Sequence, residues 1–303
     1  DITYAQEAYA LNQYSCSAYG MALSITAKTL VMEDCLSQIE IALPDGSGIG
    51  YGMAGTVKCE SVELTRCVSS CDIHEGLSGM LGQVTATKAI DLTDCVFDGR
   101  VGNACAGMIQ KSTAPIVNIE NCRTEGALYD IKGRNSIIGG MIGYVSNPSS
   151  YVKSVLTVKN SLAAADISMI QVAADMVGGL IGSSDGGTFT DCLSTGNITV
   201  ADAVTGTMTS GGLLGDGEGG ALQMLRCENQ GAMQGSISGG LVGHMGTSSA
   251  STVDFTDCKN SGAVTHTAKS AKIGGLLGLG NGDLTNCVNT GDLSGETVGG
   301  LVG

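Results

Sequence analysis

Twelve cysteines in 303 residues set the first chemical question, because thiols can bridge, hold metal or act as nucleophiles. Eight of them recur at one slot: Cys35, Cys67, Cys95, Cys122, Cys192, Cys227, Cys258 and Cys287, with Ser161 filling the slot in the fifth repeat. A structural zinc site needs close cysteine pairs in duplicate. Only Cys67 and Cys71 are spaced that way, and no histidine supports them, so no metal site is expected. A disulfide framework fits poorly as well, because Ser161 interrupts the series where a bridge would need a thiol. The expectation is a structural ladder of small buried side chains, one per repeat, in which cysteine packs as a small hydrophobe. Cys105 stands where other repeats have Val177, Ile273 and Val298, which predicts another interior residue. Cys16, Cys59 and Cys71 lie off the ladder; a Cys59–Cys71 or Cys67–Cys71 bridge is compatible with the spacing.

Carboxylates and glycines offer other chemistry. Just before the ladder come Asp34, Arg66, Asp94, Asn121, Asn160, Asp191, Arg226, Asp257 and Asn286. Paired carboxylates on adjacent coils could cleave a polysaccharide. A slot mixing Asp, Asn and Arg reads instead as a turn column, in which Asx side chains bond nearby backbone. GDGEGG at 215–220 matches a dinucleotide fingerprint only in its letters, and its two acids would repel a pyrophosphate. His74-Glu75 begins a zinc-peptidase motif, but the other histidines, His244 and His266, are far away. Glycine–acid turns at Asp45-Gly46, Asp185-Gly186, 216–218 and 281–283 carry calcium-type oxygens, yet ordinary turns are expected there. No catalytic residue and no cofactor is expected.

The elements that carry these residues are set by a repeating pentapeptide. It reads GGMIG at 139–143, GGLIG at 178–182, GGLLG at 211–215, GGLVG at 239–243, GGLLG at 274–278 and GGLVG at 299–303, with weaker copies upstream. Its second glycine gives the anchors Gly20, Gly52, Gly79, Gly107, Gly140, Gly179, Gly212, Gly240, Gly275 and Gly300. Self-similarity at such a period marks a solenoid. Apolar residues recur three positions before the ladder slot, from Met32 to Leu284, and six after it, from Ile41 to Leu293. The local period is two, so these are strands broken by bends. The predicted fold is all-β: a single-domain β-solenoid, a right-handed parallel β-helix of about nine coils of 25–39 residues, each with about three short strands. Residues 1–18 form an N-terminal segment or partial coil, and 19–303 form the repeat domain, which is expected to continue beyond 303.

Composition narrows the function. Aromatic residues make up 4% and tryptophan is absent, so the interior must be narrow. A net charge of −14 argues against nucleic acid and anionic lipid as partners. No apolar run is long enough to span a membrane. No signal peptide is visible, and an Asp at residue 1 suggests a trimmed product.

Together, the glycine pentapeptide, the Asn/Asp-Cys pair and the following glycine resemble the GLUG-motif repeat of bacterial surface proteins, strongly over 139–303 and more weakly over 19–138. The resemblance implies an exported, adhesin-like protein, extracellular at the bacterial cell surface or wall. Similar repeats flank the catalytic domain of immunoglobulin-A-cleaving metallopeptidases, but the H-E-x-x-H of that domain is missing here. The expected role is therefore non-enzymatic: a rigid stalk, display surface or filament-forming subunit. Its partners would be neighbouring repeats, copies of itself end to end, or a host or cell-surface protein or glycan, met through the loops at 144–157 and 200–210. The alternative is a carbohydrate-active β-helix enzyme or a peptidase flank.

Overall fold

The computed structural model describes residues 16–41, 48–74, 76–130, 137–169, 176–201, 207–246, 251–266 and 270–303. The Asp45-Gly46 turn, Glu75, residues 202–206 of the second loop and residues 1–15 of the N-terminal segment lie outside them. The described residues form short strands and no helix. Each strand pairs in parallel and in register with its equivalent in the neighbouring coil. The stack makes about eight turns of a β-solenoid, close to the nine coils that the motifs predict.

A coil contains more strands than expected. From Met176 the chain runs through Met176–Gly178, Ile181–Ser184, Gly187–Thr190, Leu193–Ser194 and Ile198–Val200, five short segments rather than three. The second and third belong to one broad sheet. In two early coils they are fused into the single strands Ala54–Thr65 and Leu81–Thr93. The pairing of those two strands slips between Ala86 and Ala89. In later coils the strand is cut at that corner, and the loop at 147–154 and the turn at 185–186 fill the break.

The anchor glycines are dictated by stacking. A Cβ on Gly52 would lie 1.7 Å from the carbonyl oxygen of Gly79, and one on Gly140 would lie 1.9 Å from that of Gly179. Real Cβ atoms do not approach backbone so closely, so only glycine lets successive corners nest. The same corner is hydrogen-bonded along the stack, with Gly179 N donating to Gly211 O and Gly212 N to Gly240 O.

Inside, the two apolar columns meet as expected. Leu64, Leu92, Ile119, Val158, Phe189, Met224 and Phe255 are buried, as are Ile73, Val101, Leu128, Ile167, Ile198, Met233 and Val264. Each such side chain contributes about 1.5–3 kcal/mol by leaving water. A third interior column, two residues after the ladder slot, is polar in most coils, with Phe97 and Ala163 as the apolar members. Ser37 Oγ donates to Gly52 O and Ser69 Oγ to Gly79 O, both at 2.6 Å. Farther along, Asn229 Nδ2 donates to Asn260 Oδ1, and Asn260 Nδ2 to Asn289 Oδ1, at 2.7 Å each. This asparagine ladder gives the Asn229 and Asn260 amide nitrogens partners in the adjacent coil, while Asn229 Oδ1 accepts no hydrogen bond.

Candidate functional site

The cysteine ladder is interior. Cys67, Cys95, Cys122, Cys192, Cys227 and Cys258 are buried, whereas Cys35 and Cys287, in the outermost coils of the column, are partly covered. None of the eleven cysteines with described side chains, Cys59 and Cys71 included, is disulfide-bonded. Cys105 is buried in line with Ile138 and Val177. Each ladder thiol donates to the carbonyl two residues earlier, as Cys95 Sγ does to Thr93 O at 3.4 Å. Ser161 Oγ makes the equivalent bond to Lys159 O at 2.8 Å. The slot thus selects a small side chain with a donor, which explains why serine can replace cysteine. Contact with Cys122 in the next coil pushes the Cys95 thiol up to about 12. Burial raises the Cys71 thiol to about 11. Neither thiol is a nucleophile at neutral pH.

The column before the ladder owes its composition to backbone geometry. Its nine residues all have positive φ, from 48° at Asn160 to 55° at Asp94 and Asp257. This left-handed conformation turns the chain between sheets, and Asp and Asn tolerate it best after glycine. The two arginines are tied down from outside. Arg66 Nε and Nη2 grip the carboxylate of Asp34, in the preceding coil, at 2.7 and 2.9 Å. Arg226 grips Asp191 in the same way at 2.6 and 2.7 Å. These hydrogen bonds hold the Asp34 and Asp191 carboxyls below their ordinary range. The carboxylates are therefore neutralised corner residues.

The other sequence candidates separate. GDGEGG begins at the end of the strand Leu214–Gly217 and continues into a turn with Gly219 at φ 134°, so no helix follows it to hold a pyrophosphate. His74 Nε2 lies 3.9 Å from Asp72 Oδ1. Among the described residues no three His, Cys, Asp or Glu side chains converge as a metal site would require.

One constellation does come together that the motifs did not reveal. Register places Lys111, Tyr144, Ser183, Asp216 and His244 in a single row along the stack. His244 Nδ1 lies 2.5 Å from Asp216 Oδ1, and Asp216 is buried. Ser183 Oγ donates to Glu218 Oε1 at 3.3 Å. The Lys111 ammonium sits 5.3 Å from the centre of the Tyr144 ring. Burial, and then the negative charge of Glu218, raises the Tyr144 phenol. In a hydrolytic triad the imidazole stands between serine and carboxylate. Here Asp216 stands between, and two strand steps of about 4.8 Å separate Ser183 from His244. The row therefore cannot relay a proton from serine to histidine. It was findable, since each member is the fourth residue after an anchor glycine.

Beside this row the broken corner opens a groove of about 360 Å³. Its lining includes Lys153, Val155, Asp185, Gly187, Thr188 and Gln223. Lys153 and Asn147 both hydrogen-bond to Asp185 Oδ2. Burial alone would raise the Asp185 carboxyl, but those two bonds outweigh it and hold the group below its ordinary value. Gly186 and Gly187, at φ 137° and 149°, leave the floor without side chains. The loop at 147–154 forms one wall and carries Tyr151, which is 95% exposed. No protein-family model, curated protein or solved structure matches the chain.

Proposed function

We propose that the chain is a non-enzymatic β-solenoid segment of an exported bacterial surface protein, acting as a rigid stalk, display surface or filament-forming subunit. The observation that carries this reading is where the chemistry-bearing side chains are spent. Buried thiols bond to backbone carbonyls, the corner carboxylates of Asp34 and Asp191 are held by arginines in the next coil, and the serine of the mixed row is directed at Glu218 rather than at an imidazole. The resemblance of the repeats to surface-protein motifs supports placement outside a bacterial cell. Copies of itself, or a cell-surface protein or glycan, are the proposed partners.

The buried Asp216, its partner His244 and the nearby Glu218 favour one second reading, a carbohydrate-active β-helix. Incubation with a panel of neutral and acidic polysaccharides, read as new reducing or unsaturated ends, separates the two. The scaffold reading expects no more ends than with Asp216→Asn. Robust turnover that this substitution abolishes would replace it with the enzyme reading.

A further inference from the structure

The outer face of the broad sheet adjoins the groove. Strands Ile116–Glu120, Val155–Lys159 and Ala221–Leu225 alternate buried and open residues, so Asn118, Thr157 and Gln223 project outward, and Thr188 of Gly187–Thr190 stands in register with them opposite the buried Phe189. They are in register, one per coil. Their spacing is therefore the strand spacing of about 4.8 Å. On the groove side of this row, Val155 is 60% exposed, and the next positions in the stack are Gly186 and Ala221. The surface is thus an uncharged ladder of hydroxyls and amides beside a flat apolar floor, with an exposed tyrosine on the loop above.

We infer that this groove and ladder bind a linear neutral polysaccharide laid along the solenoid axis. A linear glycan offers the same pattern, hydroxyls repeating at close to the coil spacing and a C–H face that packs on apolar floor or aromatic ring. The volume lies within the range of about 300–1,000 Å³ usual for small-ligand sites, so one or two sugar rings fill it. Charge decides against an acidic glycan. The lining cation, Lys153, is already paired with Asp185, and Asp91 and Asp254 bracket the outward ladder in the same register. With a net charge of −14, a polyanion would be repelled.

The inference deepens the display-surface reading and rests on it. Calorimetric titration of the full chain with cellohexaose, xylohexaose and mannohexaose, with hexagalacturonate as the acidic control, tests it. At least one neutral hexasaccharide should saturate, and hexagalacturonate should bind at least about tenfold more weakly. Gln223→Ala, which removes one amide, should weaken binding about tenfold. Thr188→Trp, which fills the groove, should abolish it, and Thr199→Ala on a different sheet should leave it unchanged. Failure of all three neutral sugars to saturate, equal or tighter binding of the acidic one, or native affinity in both groove variants would overturn the inference. New chain ends released during titration would sink the non-enzymatic reading while leaving the binding site intact.

Discussion

The carbonyl oxygen of Gly212 occupies the space that a side chain on Gly179 would need, 2.0 Å from the position of its Cβ. The same relation links most successive anchors and makes the glycine corner the register mark of the stack. Gly179→Ala should therefore destabilise the protein by at least about 3 kcal/mol, because backbone must move to relieve the overlap. Thr199→Ala, on an exposed strand position, should be close to neutral. Thermal unfolding of both variants checks the contrast.

Asn160 holds a left-handed φ of 48° at the corner before the ladder. Asn160→Val should cost about 1–2 kcal/mol, because a β-branched residue is strained there, whereas Asn160→Gly should cost little. Equal losses in denaturant titration would show that the corner does not depend on backbone conformation.

Much of this fold was legible in the sequence, for a physical reason. The interior columns are filled by one residue type per coil, so anchors, apolar positions and ladder all recur. Corner chemistry was only half legible: the Asp, Asn and Arg turn column was visible in the sequence, but its left-handed backbone was not. The number of strands per coil was underestimated because segments such as Leu193–Ser194 are two residues long and carry no periodicity. The Tyr144, Ser183, Asp216 and His244 row was harder to see because its residue type changes from coil to coil, although each member stands four residues after an anchor glycine. Only register brings them together.

The ladder slot wants a small donor. Cys192→Ser should retain most of the stability, as Ser161 does in its own coil, since the hydroxyl can still reach Thr190 O. Cys192→Val fills the slot but removes the thiol donor from a carbonyl that still accepts from Asn160 N, and should cost about 0.5–1.5 kcal/mol more than serine. A thiol reagent should react slowly with the native protein and with all twelve cysteines after unfolding.

Stability should fall on both sides of neutrality. Asp34, Asp185 and Asp191 have folded pKa values below their ordinary ones. Their contribution is complete above about pH 4, the unfolded value, and is lost as pH drops through the lowered folded values. Burial lowers His266 as well, so stability also declines as pH falls below about 6.5. Cys71, Cys95 and Tyr51 are raised, to about 11, 12 and 12 respectively. Their contribution is complete below their unfolded values, near pH 8.5 for the thiols, and is lost as pH rises through the folded ones. Denaturation midpoints from pH 3 to 11 should trace a dome. Added salt should flatten the part due to the exposed Arg66–Asp34 and Arg226–Asp191 pairs.

The stacked corners make the paired glycines rigid framework rather than flexible linker. Residue-resolved hydrogen exchange tests it most directly. The amides of Gly179, Gly212 and Gly240 donate to carbonyls of the adjacent coil, so they should exchange as slowly as the core strands that flank them. Exchange of those three amides at the rate of an open loop would contradict the stacked-corner architecture.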